Sequence, residues 1–384
     1  MSAHQPTDPK PTWAVAVEDL QSVVARERGL PVCQCLEQLG YPVSLVEDGD
    51  PAGLQADVLL LMENLADFGL YRTRLAQATG PRPVTAVWML ETLPPSSLTP
   101  LAEQTGSAAA AWQPRLGLQY PKRRISPWQN RLTLRGLRHW LYKQISAVGY
   151  RRTLRLLQHV DPTLADTHWT QIRSSMVNWD CLRRTRGEGW LDHCIVSTEQ
   201  RQRFLQERGW SAPYVPLGFQ EKDGHILSLD RDIDVLFLGY LRKDRRRHLL
   251  EVMEKDLSAR GISLRVVTSN CYGEERVHLL NRTRILLMLH QYPWSPAWIR
   301  FGYANACGAC VVSEPMPDTR PFQADLHYAS APAAQLPEVI ERLLQDEAER
   351  SRLVSAAAEL CKISLTLHHS VRQIAEIVTR SMPR

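Results

Sequence analysis

The chain has 384 residues, 44% of them hydrophobic and 23% charged, which suits two ordinary globular domains and excludes a disordered or fibrous protein. No apolar run reaches the roughly 18 to 20 residues that cross a bilayer, and the polar start from Met1 to Pro11 lacks a signal-peptide core, so a cytoplasmic location is expected, peripheral to a membrane at most. Eight cysteines are too dilute for a disulfide framework and are expected as free thiols. Cys307 and Cys310 have C-x-x-C spacing without a second pair, so they read as small buried side chains and not as zinc ligands.

Along the chain, Trp13 to Val17 is a short apolar run, and Val23 to Leu39 has helical spacing that stops at Gly40. Pro42 to Val46 is β-branched. Ala56 to Met62 is apolar without alternation, as in a parallel strand covered on both faces. Val84 to Leu90 adds another strand before the turn signal Pro94-Pro95. Beyond a basic segment come a strand at Cys194 to Ser197, a helix at Glu199 to Glu207, and a further strand at Tyr214 to Gly218. The polar stretch 220–233 reads as a linker.

A second series follows: strands at Asp234 to Leu238, Ser263 to Val267, Ile285 to Leu289 and Ala309 to Val312, with helices near Arg245 to Leu257, Glu274 to Leu280 and Ile299 to Cys307. Helices at Leu336 to Leu344, Glu347 to Lys362 and Val371 to Thr379 close the chain. The predicted fold class is α/β, with two Rossmann-like domains whose parallel sheets face a cleft. The expected divisions are 1–219, carrying a basic helical insertion at about 115–160, then the linker, 234–365, and a last helix within 366–384 that returns to the first domain.

Four segments carry a resemblance. They are Asp234 to Gly239 followed by Arg242 and Arg245-Arg246; Asn270 to Gly273 followed by Asn281 to His290; Arg300 to Ala306 with Gly308 and Val311 to Glu314; and Val215 to Gly218. Together with the leucine-rich 337–362 tail, they resemble the GT-B glycosyltransferases, family 1, in the spore-maturation-protein-like branch. The resemblance spans about 195–375. It implies transfer of a sugar from a nucleotide-diphosphate sugar to an unidentified acceptor, with that sugar nucleotide as co-substrate and no cofactor; no obligatory metal is expected either, because no D-x-D motif follows a strand and Asp230-Arg-Asp232 precedes its own. Where many retaining members have E-x7-E, this chain has Ser295 and Tyr303, so those contacts do not carry over and the stereochemical outcome is open.

A leaving diphosphate needs cations or backbone N–H groups. Gly239 permits close backbone approach, and Arg242, Arg245 and Arg246 supply forked donors. Arg300, Ser313 and Glu314 fall at the carboxyl edge of the second sheet, where ligands collect in open α/β folds; a ribose contact is expected of Glu314. His290 ends an apolar strand there and is, with Glu91, a candidate catalytic residue. An acceptor base is sought on the first domain, with Glu91 best placed, Glu63 second, and Glu18 and Asp19 third. His368 and His369 read as surface residues.

Net charge is +5, and no acidic residue occurs between Glu103 and Asp161. Arg131, Arg135 and Arg138 at helical spacing, with Leu134, Leu137, Leu141 and Ile145 on a neighbouring face, make a basic amphipathic helix suited to an acceptor or an anionic membrane surface. Two other readings stand beside transfer. One is a non-catalytic sugar-nucleotide-fold binder or scaffold, given Tyr303. The other is a binder of anionic surfaces or nucleic acid through 122–155, with nucleic acid the less expected partner.

Overall fold

The computed structural model describes residues 10–115, 134–241, 245–269, 271–295 and 298–382, and the side chains within those spans other than 112–143. Among the described residues, ten strands form two sheets. The first holds β1 (Trp13–Val17), β2 (Val43–Glu47), β3 (Val58–Glu63), β4 (Val84–Met89) and β5 (His193–Val196), in the order β2-β1-β3-β4-β5. The second holds β6 (Ile233–Leu238), β7 (Leu264–Val267), β8 (Thr283–Met288), β9 (Cys310–Ser313) and β10 (Ala329–Ser330), in the order β10-β9-β8-β6-β7. All eight pairings are parallel. In both sheets the opening strand lies between the second and third, so each has its switch point there, at β1/β3 and β6/β8, where an open sheet leaves a crevice.

The helices are α1 (Leu30–Gln38), α2 (Pro51–Gln55), α3 (Gly69–Gln77), α4 (Pro100–Arg115), α5 (Leu134–Val160), α6 (Trp169–Glu188) and α7 (Glu199–Gln206) in the first half. In the second come α8 (Arg245–Ala259), α9 (Gly273–Asn281), α10 (Ile299–Ala306), α11 (Leu336–Gln345), α12 (Glu347–Ser364) and α13 (Leu367–Thr379). They cover both sheet faces, which is why the strands are apolar throughout. Along β3, Leu59 and Leu61 pack with Tyr71 and Met176, while Val58, Leu60 and Met62 pack with Val32 and Val371. The second sheet divides likewise, Leu236 and Leu286 to one side, Val235 and Ile285 to the other.

Several elements depart from the sequence reading for physical reasons. The helix expected from Val23 to Leu39 is split into a π-helical turn at Ala25–Gly29 and α1. Pro31 has no N–H to donate, which favours such a widened turn. The strand expected at Tyr214 to Gly218 is a single bridge between Val196 and Tyr214, because Pro213 and Pro216 remove ladder donors. The stretch 220–233 is tied down: Asp223 pairs with Arg276 at 2.7 Å, and Gln220 Nε2 donates to Glu27 O.

Two segments cross between the halves. α13 lays Leu367, Val371, Ile374 and Val378 against Val32 and Leu36 of α1. The loop after β8 plants Trp294 in the first half's core, 6% exposed, with its indole N–H donating to Leu93 O at 2.8 Å. No helix among the described residues is long and apolar enough to cross a membrane.

Candidate functional site between the two sheets

Both switch points open onto one cleft, which holds two adjoining cavities. The first, of about 190 Å³, is lined by Arg28, Glu91, Arg201, Arg246, His290 and Arg300 among others. The second, of about 370 Å³ and within the size range of small-molecule sites, includes Glu27, Gly239, Tyr240, Tyr272, Arg276 and Tyr303. Arg28 and Arg300 line both.

Arg300, in the first turn of α10, makes no hydrogen bond or ion pair among the described residues. Burial in the cleft and the neighbouring Arg28 pull its pKa down, only partly offset by Tyr240 and Tyr272. Its guanidinium lies over Gly239: a β-carbon there would sit 2.9 Å from Arg300 Nη1. Arg246 is 4% exposed, donates to Tyr240 O at 3.1 Å and also lines the first cavity. Arg242 lies outside the described residues.

Arg245, Ser313 and Glu314 form a cluster behind this surface, and none of the three lines either cavity. Glu314 receives both arms of the Arg245 guanidinium, Nη1 at 2.9 Å and Nη2 more closely, and accepts from the His290 amide at 2.8 Å. Burial raises the Glu314 carboxyl, but these donors outweigh it and hold it below the usual carboxylate range. The ribose contact expected of Glu314 thus meets a carboxylate already engaged, and the Arg245 charge is neutralised in the same pair. The pair instead frames His290, whose Nε2 lies 3.1 Å from Glu314 O and 3.4 Å from Ser313 Oγ. A carbonyl oxygen can only accept, so Nε2 carries the proton and Nδ1 is the acceptor. Burial depresses the imidazole pKa, so the ring is neutral near pH 7.

On the first half, Glu91 follows β4 and lines the first cavity, with no direct partner among the described residues. Glu63, the second candidate base, closes an ion pair with Arg28. Its φ of 84° is left-handed, a conformation that costs a non-glycine residue about 1 to 3 kcal/mol and recurs at functional sites. Burial raises the Glu63 pKa despite Arg28, and Glu91 adds to the rise. Tyr303 stacks under Arg276, whose guanidinium carbon is 3.8 Å from the ring centre, so the place of the missing second Glu is filled by an aromatic–cation contact. Arg131 lies outside the described residues; Arg135 and Arg138 lie in α5, within the span whose side chains are not described. His368 and His369 are partly buried. Cys307 and Cys310 are buried thiols, pushed up by desolvation to about 11 and about 12. Among the described residues, no group of three His, Cys, Asp or Glu is placed to hold a metal.

Sequence reasoning missed Arg28 and Arg201. Each has a signal in retrospect. Arg28 ends a helical turn after β1, the switch-point strand, and Arg201 sits in the first turn of α7, where a cation opposes the helix dipole.

The α/β fold with two parallel five-stranded sheets facing a cleft is the architecture expected from the sequence. Residues 242–376 match a family model described as glycosyl transferase-like. No curated protein matches the chain significantly. Similar solved structures include sucrose-phosphate synthase from Thermosynechococcus elongatus, at 14% identity and TM-score 0.49 over 97% of this chain and 99% of that one. Another is Anabaena Alr3699/HepE in complex with UDP-glucose, at 11% and 0.46 over 96% and 100%. TarM is similar at 11% and 0.40 over 49% of this chain and 43% of that one, so the match spans less than half of TarM's length.

Proposed function

We propose that the protein is a glycosyltransferase that moves a sugar from a nucleotide-diphosphate donor to an acceptor, working in the cytoplasm without an obligatory metal. The single observation that carries this reading is Arg300, a cation with no ion pair among the described residues, lying over Gly239 in a cleft shared with Arg28 and Arg246. The family match over 242–376 supports it, and placement in the spore-maturation-protein-like branch belongs to the same proposal. As the bond between the anomeric carbon and the diphosphate oxygen breaks, its electron pair stays on the diphosphate. Arg300 and Arg246 neutralise that charge in place of a metal, beside Arg28, whose own charge is met by Glu63. The acceptor oxygen bonds to the anomeric carbon and its proton passes to Glu91, the base an inverting reaction needs. His290 Nδ1 accepts a hydrogen bond from a sugar hydroxyl.

Thermal-shift titration against a panel of sugar nucleotides tests donor binding, because a ligand that binds only the native state raises the melting temperature. At least one donor should raise it and be consumed with release of its nucleoside diphosphate. Glu91→Gln should keep the shift and lose most of the turnover. If no sugar nucleotide shifts the melting temperature, the reading fails; a shift without turnover points to the non-catalytic binder that Tyr303 first suggested.

A further inference from the structure

One cation in the first cavity has no part in the donor scheme. Arg201 projects from the first turn of α7, beyond the carboxyl end of β5, and is 4% exposed. Its Nη1 donates to Ser197 Oγ at 2.6 Å and its Nη2 to Ser295 Oγ at 3.1 Å, while Nε is buried without a partner. It forms no ion pair among the described residues. Glu91 and Asp318 act on it only through space, and burial outweighs them, bringing its pKa to about 10. A guanidinium held by two neutral hydroxyls is an expensive thing to bury unless an anion completes it.

The hydroxyls are oriented for that. Ser197 Oγ donates onward to Met89 O at 3.3 Å, which fixes it as an acceptor toward Arg201. Ser295 Oγ accepts from Arg201 and has no acceptor of its own among the described residues, so its proton remains to be given. The two serines come from opposite halves, and both line the first cavity with Arg201.

Arg201 shares the first cavity with Arg28, Arg246 and Arg300 but differs from them in its surroundings. Arg300 feels Arg28, Tyr240 and Tyr272, whereas Arg201 feels Glu91 and Asp318; Glu91 is felt by both Arg28 and Arg201. Glu91 lines the cavity with both of those arginines.

We propose that Arg201, with Ser197 and Ser295, binds an anionic group carried by the acceptor, a phosphate monoester or a carboxylate, and so brings the acceptor hydroxyl to Glu91. The inference rests on the transfer reading above. The forked guanidinium and the adjacent hydroxyl proton match the oxygens of either anion.

Inorganic phosphate is the first probe, titrated calorimetrically into the full chain with and without saturating nucleoside diphosphate. Phosphate should bind in both conditions. Arg201→Gln should weaken it at least tenfold while nucleoside diphosphate affinity stays within twofold. Displacement of phosphate by nucleoside diphosphate would assign Arg201 to the donor and overturn the proposal, as would unchanged phosphate affinity in Arg201→Gln. Should that variant fail to fold, Ser295→Asp sets a carboxylate against the guanidinium. It should abolish phosphate binding without lowering the melting temperature, and retained binding would overturn the proposal. A hexose phosphate and a hexuronate, competed against phosphate, separate the two anion sources; if neither competes, the acceptor assignment is wrong. A chain that binds no nucleoside diphosphate sinks the transfer reading and the acceptor role with it. That failure is told apart from failure of the anion site, since the phosphate titration needs no nucleotide.

Discussion

Gly239 and Arg300 occupy one another's space: the guanidinium of Arg300 lies where a side chain on Gly239 would begin, 2.9 Å from the ideal β-carbon position. Gly239→Ala should therefore push the Arg300 head away without breaking the sheet, since the atom it meets is the far end of a flexible chain. Nucleoside diphosphate affinity is expected to fall about tenfold, about 1.4 kcal/mol, and the melting temperature to drop as well, because Gly239 holds a φ of 159°, where an alanine is strained. Calorimetric titration and a thermal scan on the same preparation check this.

Arg300→Ala should weaken nucleoside diphosphate binding far more than binding of the bare nucleoside, because a charge-assisted bond to phosphate contributes about 1.5 to 3 kcal/mol. Equal losses for the two ligands would place Arg300 elsewhere than at the phosphates.

His290 gives a pH prediction with a definite sign. Burial lowers its folded-state pKa below the ordinary 6.5, although the neighbouring Glu314 opposes the shift and Arg245 and Arg246 add to it. The unfolded chain then binds the extra proton first as pH falls. Its contribution to stability is full above about 6.5 and is lost progressively below it, down to the folded pKa. Denaturation midpoints at steps from pH 7.5 to 5 should show a decline that is shallower in His290→Gln.

Trp294→Ala removes a buried indole from the core of the opposite half. The expected loss is about 3 to 5 kcal/mol, whereas Trp294→Phe keeps most of the packing and gives up about 1 kcal/mol for the bond to Leu93 O. Urea titration distinguishes the two variants. Donor binding should weaken in Trp294→Ala as well, since the same loop leads into Arg300.

Arg151, Arg152 and Arg155 are exposed on α5, and each basic residue near an anionic surface contributes about 1 kcal/mol. Reversing all three to Glu should abolish flotation with anionic vesicles and leave sugar-nucleotide affinity intact. Wild-type protein that does not float at all would remove the membrane role from this segment.

Much of the architecture was legible because it is local. The uninterrupted Ala56 to Met62 run could only be a covered parallel strand, and the Arg300 to Glu314 pattern placed a helix, a glycine turn and a strand edge. The second half's share of the cleft was legible for the same reason, as Gly239, Arg246, His290 and Arg300 follow from strand ends and the helices after them. The pairing of Glu314 was not legible because its partner, Arg245, lies 69 residues away, and nothing in the intervening sequence shows that the two charges meet. Arg201 and Ser295 are 94 residues apart and Leu93 and Trp294 are 201 apart. Contacts at such separations depend on how the halves dock, which hydrophobic periodicity does not encode.

The docking of α13 on α1 makes the first half discontinuous in sequence: its core is completed by residues that follow the whole of the second sheet. A ribosome releasing the chain in order would expose the apolar face of α1 until α13 emerged. The first half can settle only after the second has been synthesised, and a fragment ending near residue 365 would carry Val32 and Leu36 uncovered. Splitting the protein into two expressible modules at the 220–233 stretch would leave one with a bare helix face and the other with Trp294 in water.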